Sequence, residues 1–167
     1  MQFPDSFFED EVRDGFYVPA LMKRAWAAHL EMLKDFSKFC KEHHIRWFAD
    51  FGTLLGAVRH QGPIPWDDDL DICMFREDYI RFNEIAEKEL PKEYYIPKDR
   101  KEQYRLLTPL CCGTPICLEK EHLEKFHGFP FFLTIDIFPL DHLAPDPEDE
   151  QLRSGLSVIV LHAAQSI

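Results

Sequence analysis

Asp67, Asp68, Asp69 and Asp71 put four carboxylates within five positions, just ahead of an apolar run at 72–74. Two such charges 4 Å apart repel by roughly 4 kcal/mol at an effective dielectric near 20. A divalent cation, Mg²⁺ or Mn²⁺, is the simplest compensation. In an extended chain Asp69 and Asp71 share one face, and Leu70, Ile72 and Met74 share the other. Aspartate suits strands poorly and same-face carboxylates weaken a sheet, so this pair reads as a metal site. A solvated acidic turn would account for Asp67 and Asp68 alone. Asp136 stands inside a second apolar run, 129–138, where an ionised carboxylate is costly to bury without a partner. It reads as the third metal carboxylate; the bland alternative is a sheet-edge Asp reaching an Arg or Lys.

The elements that must position these groups follow from periodicity. Apolar residues recur at helical spacing over 21–44, predicting one long helix that covers the domain. Residues 45–51 alternate as a strand, and Gly52-Thr53 ends it in a turn. The segment 53–60 then reads as a short helix whose free N–H groups suit a phosphate, with Thr53 near its start and the basic pair Arg59-His60 at its end. Gly62-Pro63-Ile64-Pro65 is a rigid connector, and Trp66 beyond it is read as core packing ahead of ring stacking. The second strand covers 69–75 and an amphipathic helix covers 76–90. Short extended pieces follow at 94–97, 104–109 and 114–118, then the 129–138 strand and a helix-like stretch from Glu148 to Ala164. The adjacent Cys111 and Cys112, with Cys117, lack zinc-ligand spacing and read as buried thiols.

The 167 residues suit one domain, with 1–20 as an irregular N-terminal arm, 21–142 as the core and 143–167 as the start of an incomplete helical region. A formal net charge of −11 and the lack of a dense basic run argue against nucleic-acid binding. No transmembrane segment is expected, because the longest apolar run, 156–164, is too short. The acidic N-terminus is unlike a signal peptide, and five Cys without one point to a cytoplasmic location, at the inner face of the membrane if the acceptor lies there.

The stretch G-T-L-L-G-A-V-R-H-Q-G-P-I-P-W-D-D-D-L-D-I, followed by I-D-I-F-P-L-D at 135–141, closely resembles the LicD/fukutin-type phosphotransferase family. The resemblance covers roughly 21–142. It implies a nucleotidyltransferase-like fold of class α/β (α+β), a mixed β-sheet flanked by helices, with the C-terminal part cut short. It also implies transfer of a phosphorylated small alcohol, such as phosphocholine, ribitol phosphate or glycerol phosphate, from a CDP-linked donor to a glycan or polysaccharide hydroxyl, releasing CMP. Asp69, Asp71 and Asp136 would be the catalytic and metal-holding groups. Gly52, Thr53, Arg59, His60, Trp66, Asp67 and Asp68 would contact substrate. One departure is Gln61-Gly62-Pro63, where the family commonly has Lys-Gly-Phe. The competing readings are a nucleotidyltransferase that releases pyrophosphate and a non-catalytic metal-binding scaffold.

Overall fold

A computed structural model describes residues 1–97 and 107–165, with side chains to residue 159. The expected strand piece at 104–109 lies partly outside the described residues. The chain begins with a short 3-10 turn, Asp5–Phe8, and a hairpin of β1 (Glu11–Arg13) and β2 (Phe16–Val18). Asp14 and Gly15 take left-handed φ values of 52° and 80° at its turn. This two-stranded hairpin corrects the expected irregular arm. Its Phe16 packs edge-on against Trp66, and the Arg13 guanidinium lies 5.3 Å over the Trp26 ring. Alternation over so few residues gives too little periodic signal to recognise.

Helix α1 (Ala20–Glu42) follows, closed by His44 at φ 54° and by the Ile45 N–H donating to the Cys40 carbonyl. The expected strand at 45–51 shrinks to β3 (Phe48–Ala49), because helix α2 (Phe51–Arg59) starts before Thr53. The structure then forms β4 (Asp71–Phe75) and α3 (Arg76–Glu89), followed by β5 (Tyr94–Tyr95) and β6 (Thr108–Ile116). Helix α4 (Lys120–Lys125), β7 (Phe131–Leu140) and α5 (Pro147–Gln165) complete the order. Among the described residues no helix is long and apolar enough to cross a membrane.

The five-stranded sheet runs β3-β4-β7-β6-β5, with β4 and β7 parallel and the other neighbours antiparallel. It is the expected mixed sheet with flanking helices. Ile72 and Met74 of β4, Leu133, Ile135 and Ile137 of β7, and Leu110 and Cys112 of β6 meet Met32 and Phe36 of α1 and Phe82 of α3 in one core. Register pairs Ile72 with Ile137, and Leu110 with Ile135, so these residues share a face. The opposite face therefore receives Asp71 and Asp136. The core side is apolar enough to hold the sheet, which leaves the other face free to carry charge.

A candidate active site on the open face of the sheet

Asp71 opens β4 and stands directly opposite Asp136 of β7 in the parallel register. The Asp136 N–H donates to the Leu70 carbonyl at 2.9 Å, which locks the two strands just where the acids meet. On the other side, the Asp50 N–H donates to the Asp71 carbonyl at 3.1 Å. Asp50, just past the end of β3, thus lines up with Asp71 of β4 and Asp136 of β7. Sequence patterning had no means of placing Asp50 there, since only the β3–β4 register reveals it.

Asp67 to Asp69 form the loop ahead of β4 and do not extend it. The shared-face argument for Asp69 and Asp71 thus loses its strand, yet the charges still meet. Burial first, then the charges of Asp69, Asp136, Asp67 and Asp50, push the Asp71 carboxyl from 3.8 up to about 6. Burial, with the charge and hydrogen bond of Asp69 and the charge of Asp68, does the same to Asp67. Asp68 and Asp69 are exposed. Among the described residues, no Lys, Arg or His lies within 4 Å of Asp67, Asp68, Asp69 or Asp71. Nor do three His, Cys, Asp or Glu side chains there already close on one point as a cation cage. The donor chemistry of Asp67, Asp69 and Asp71 nonetheless fits a hard divalent ion: carboxylate oxygens only, mutually repelling.

Two bonds hold the acidic loop. The Trp26 Nε1–H of α1 donates to the Asp67 carbonyl at 2.8 Å, and the Asp71 N–H donates to Thr53 Oγ1 at 2.9 Å. Thr53 therefore ties α2 to β4 instead of capping the helix; that place belongs to Asp50, whose Oδ1 accepts from the Phe51 N–H at 2.9 Å. The turn conformation falls to Phe51, at φ 40°. Gly52 serves another purpose: a Cβ there would sit 2.2 Å from Asp67 Oδ2. Its bare backbone lets the Asp67 carboxylate rest against the start of α2.

Other expected site residues are placed elsewhere. Arg59 is in the last turn of α2, roughly 12 Å along the axis from Phe51. It is exposed, and its Nε–H donates to His60 Nδ1 at 3.2 Å. His60 turns its Nε2 toward Asp14 of the hairpin, 3.6 Å away. Trp66 is 53% exposed, which overturns the core-packing expectation: its neighbours are Phe16 and His60, both at the rim. Cys111 and Cys112 are buried, as expected, whereas Cys117, expected to be buried with them, is only half-buried, because it lies just past the end of β6.

Beside the acids, a cavity of about 590 Å³ opens between α1, α2 and the 61–64 connector. Trp26, Trp47, Ile64 and Leu70 supply apolar walls, and Asp67 and Asp69 border it. An apolar cavity adjoining uncompensated acids is the usual form of a small-molecule site.

Residues 44–107 match the nucleotidyltransferase domain shared by LicD, FKTN and FKRP. The chain is 42% identical over 123 residues to the lipopolysaccharide cholinephosphotransferase LicD of Haemophilus influenzae, covering 71% of this chain and 44% of that protein. It is also 47% identical over 118 residues to an uncharacterized protein of Rickettsia prowazekii, covering 66% and 44%. A third relative, an uncharacterized protein of Rickettsia typhi, is 49% identical over 55 residues, covering 33% and 18%. The chain thus spans less than half the length of these curated relatives. The matched segment carries β3, α2, the acidic loop and β4, though not β7 with Asp136, and with the similarity to LicD these matches assign the chain to the LicD family.

Proposed function

We propose that this chain carries the catalytic core of a metal-dependent phosphotransferase. It moves a phosphorylated small alcohol from a CDP-linked donor to a hydroxyl of a cell-surface glycan. The observation that carries this reading is the Asp71–Asp136 pairing with Asp69 beside it, uncompensated by any basic neighbour of Asp69 or Asp71, in a LicD-type chain.

Asp69, Asp71 and Asp136 would hold Mg²⁺ or Mn²⁺, which when bound would offset the charge of the donor's diphosphate. The chain's own residues then orient and deprotonate. Asp136, held at its backbone by the Leu70 carbonyl, takes the proton of the acceptor hydroxyl. The acceptor oxygen forms a bond to the phosphorus bearing the alcohol, and the bond from that phosphorus to the CMP oxygen breaks. CMP leaves with the bonding pair. Thr53 and Trp26 fix Asp71 and the Asp67 loop so that the carboxylates need not reorganise during transfer. Gly52, Thr53 and the first N–H groups of α2 face the donor phosphates, and Arg59 and His60 serve the nucleotide side. Asp68 and Trp66 contact substrate from the rim.

The test is product analysis on the whole protein with Mn²⁺, offering CDP-choline, CDP-ribitol, CDP-glycerol and CTP with a lipopolysaccharide or teichoic-acid acceptor. CMP released from a CDP-alcohol supports the proposal. Pyrophosphate released from CTP replaces it with a nucleotidyltransferase, and cation binding without any turnover replaces it with a scaffold.

A further inference from the structure

The hairpin of β1 and β2 lies outside the segment that matches the family's domain, yet it reaches the residues on either side of the 61–65 connector. Its base is fastened to α1. The Ala20 N–H donates to Asp10 Oδ1 at 2.6 Å, and the Tyr17 hydroxyl donates to Asp10 Oδ2 at 2.7 Å. The buried Lys23 ammonium sits 3.1 Å from the Glu11 carboxylate. At the tip, Asp14 faces His60 Nε2 at 3.6 Å, and the Phe16 ring meets the Trp66 indole at 6.0 Å. His60 and Trp66 also meet each other, 6.2 Å apart and nearly perpendicular. Asp14, His60, Trp66 and Phe16 thus close a circuit, with Gly15 joining its two hairpin members. The Arg59 Nε–H occupies His60 Nδ1, so the ring proton sits on Nε2, the nitrogen turned to Asp14.

We propose that the hairpin holds Trp66 as a fixed platform for a sugar ring of the glycan acceptor, with Phe16 and Asp14 as positioning residues. The proposal deepens the phosphotransferase reading and rests on it for the acceptor. An indole that is 53% exposed would ordinarily change rotamer freely, but this one has a ring against it from two directions. Trp66 adjoins Asp67 in the chain and is not part of the cavity wall, so its open surface lies beside the acids and outside the cavity. A polymer of sugars is too long for that cavity and must lie across the surface. The C–H face of a sugar ring offers apolar area that an indole covers, while its hydroxyls stay within reach of water and of the exposed Asp14 and Asp68 carboxylates. An aromatic ring fixed beforehand loses little freedom when the sugar arrives, which favours binding.

Kinetics of the whole protein with Mn²⁺, varying a CDP-alcohol donor and a lipopolysaccharide or teichoic-acid acceptor separately, test the positioning. Phe16→Ala should raise the acceptor KM about tenfold and leave the donor KM and kcat within about twofold. Phe16→Tyr, which keeps the ring, should restore the acceptor KM to within about twofold of the parent. Asp14→Asn keeps a residue that accepts the left-handed φ of 52° and should raise the acceptor KM about threefold. In a Trp66→Ala background Phe16→Ala should add nothing, because the platform it serves is gone. An unchanged acceptor KM in Phe16→Ala, or full additivity with Trp66→Ala, overturns the proposal and leaves the hairpin a purely structural element. Should Phe16→Ala fail to fold, Asp14→Asn decides by the same split between acceptor and donor KM. Quenching of Trp66 emission by the acceptor, isolated by difference from Trp66→Phe, reports binding without turnover. Acceptor binding weakened about tenfold in Phe16→Ala, with no CMP release from any donor, keeps the platform and removes the phosphotransferase. CMP release with an acceptor KM unmoved by Phe16→Ala keeps the phosphotransferase and removes the platform.

Discussion

Asp71 and Asp136 face each other across a parallel strand junction, aspartate opposite aspartate, where a sheet ordinarily places residues that attract. Folding therefore brings together charges that the extended chain keeps apart, and the cost appears in the titration of the site.

The first prediction concerns pH. The Asp71 carboxyl titrates near 6 in the fold against an ordinary 3.8, so the folded chain holds this proton more tightly than the unfolded one. Its contribution to stability is then favourable below about 4 and lost as pH rises through about 6. Asp71→Asn removes that loss. The metal-free variant should melt a few degrees above the parent at pH 7.5, and the gap should narrow as pH falls and close only below about pH 4. Thermal melts across this range check it; a gap constant with pH would contradict the assigned repulsion.

Catalysis should move the other way. In the whole protein, Asp69→Asn and Asp71→Asn should each lower CMP release by about a hundredfold or more, with a matching loss of Mn²⁺ affinity. Activity within threefold of the parent for both variants would remove these residues from the site.

Gly52→Ala probes the contact with Asp67. The new Cβ would meet Asp67 Oδ2 at 2.2 Å and force that carboxylate aside. Transfer should fall at least about tenfold, while the melting temperature changes by only a few degrees. Gly155→Ala is the control, since a Cβ there meets nothing within 4 Å. That substitution lies within α5 and should stabilise slightly, by up to about 1 kcal/mol.

Trp26→Phe removes the donor that holds the Asp67 carbonyl and vacates buried volume, the indole being 3% exposed. A loss of roughly 1–3 kcal/mol in urea unfolding is expected. The rate should fall further than the unfolded fraction accounts for, because the acidic loop loses its tether. A purely thermal effect, restored in full by cooling, would speak against a positioning role.

Much of the fold around the acids was legible in the sequence, for identifiable reasons. The Asp71 and Asp136 strands carry strong alternation, so their faces could be read, and the buried positions of Ile135 and Ile137 agree. Helices α1 and α3 showed because long periodic runs average out local exceptions. What escaped depended on register or on space. Asp50 joins the row only through pairing with β4. Gly52 looks like a turn residue until Asp67 is seen resting on it. Arg59 follows the motif closely in sequence, yet a helix carries it away from the acids. The hairpin beside Trp66 was too short to show a period at all.

The β4–β7 junction also orders events in time. Its two aspartates are 65 positions apart (136 − 71), and the segment that matches the family's domain, 44–107, ends before β7 begins. The two aspartates have no local contact in the chain and are expected to meet only when the long-range pairing of β4 with β7 forms. That closure works against charge, so a divalent ion or mild acid should hasten it, and stopped-flow refolding with and without Mg²⁺ would register the difference. Competence for chemistry would then certify that the sheet is complete.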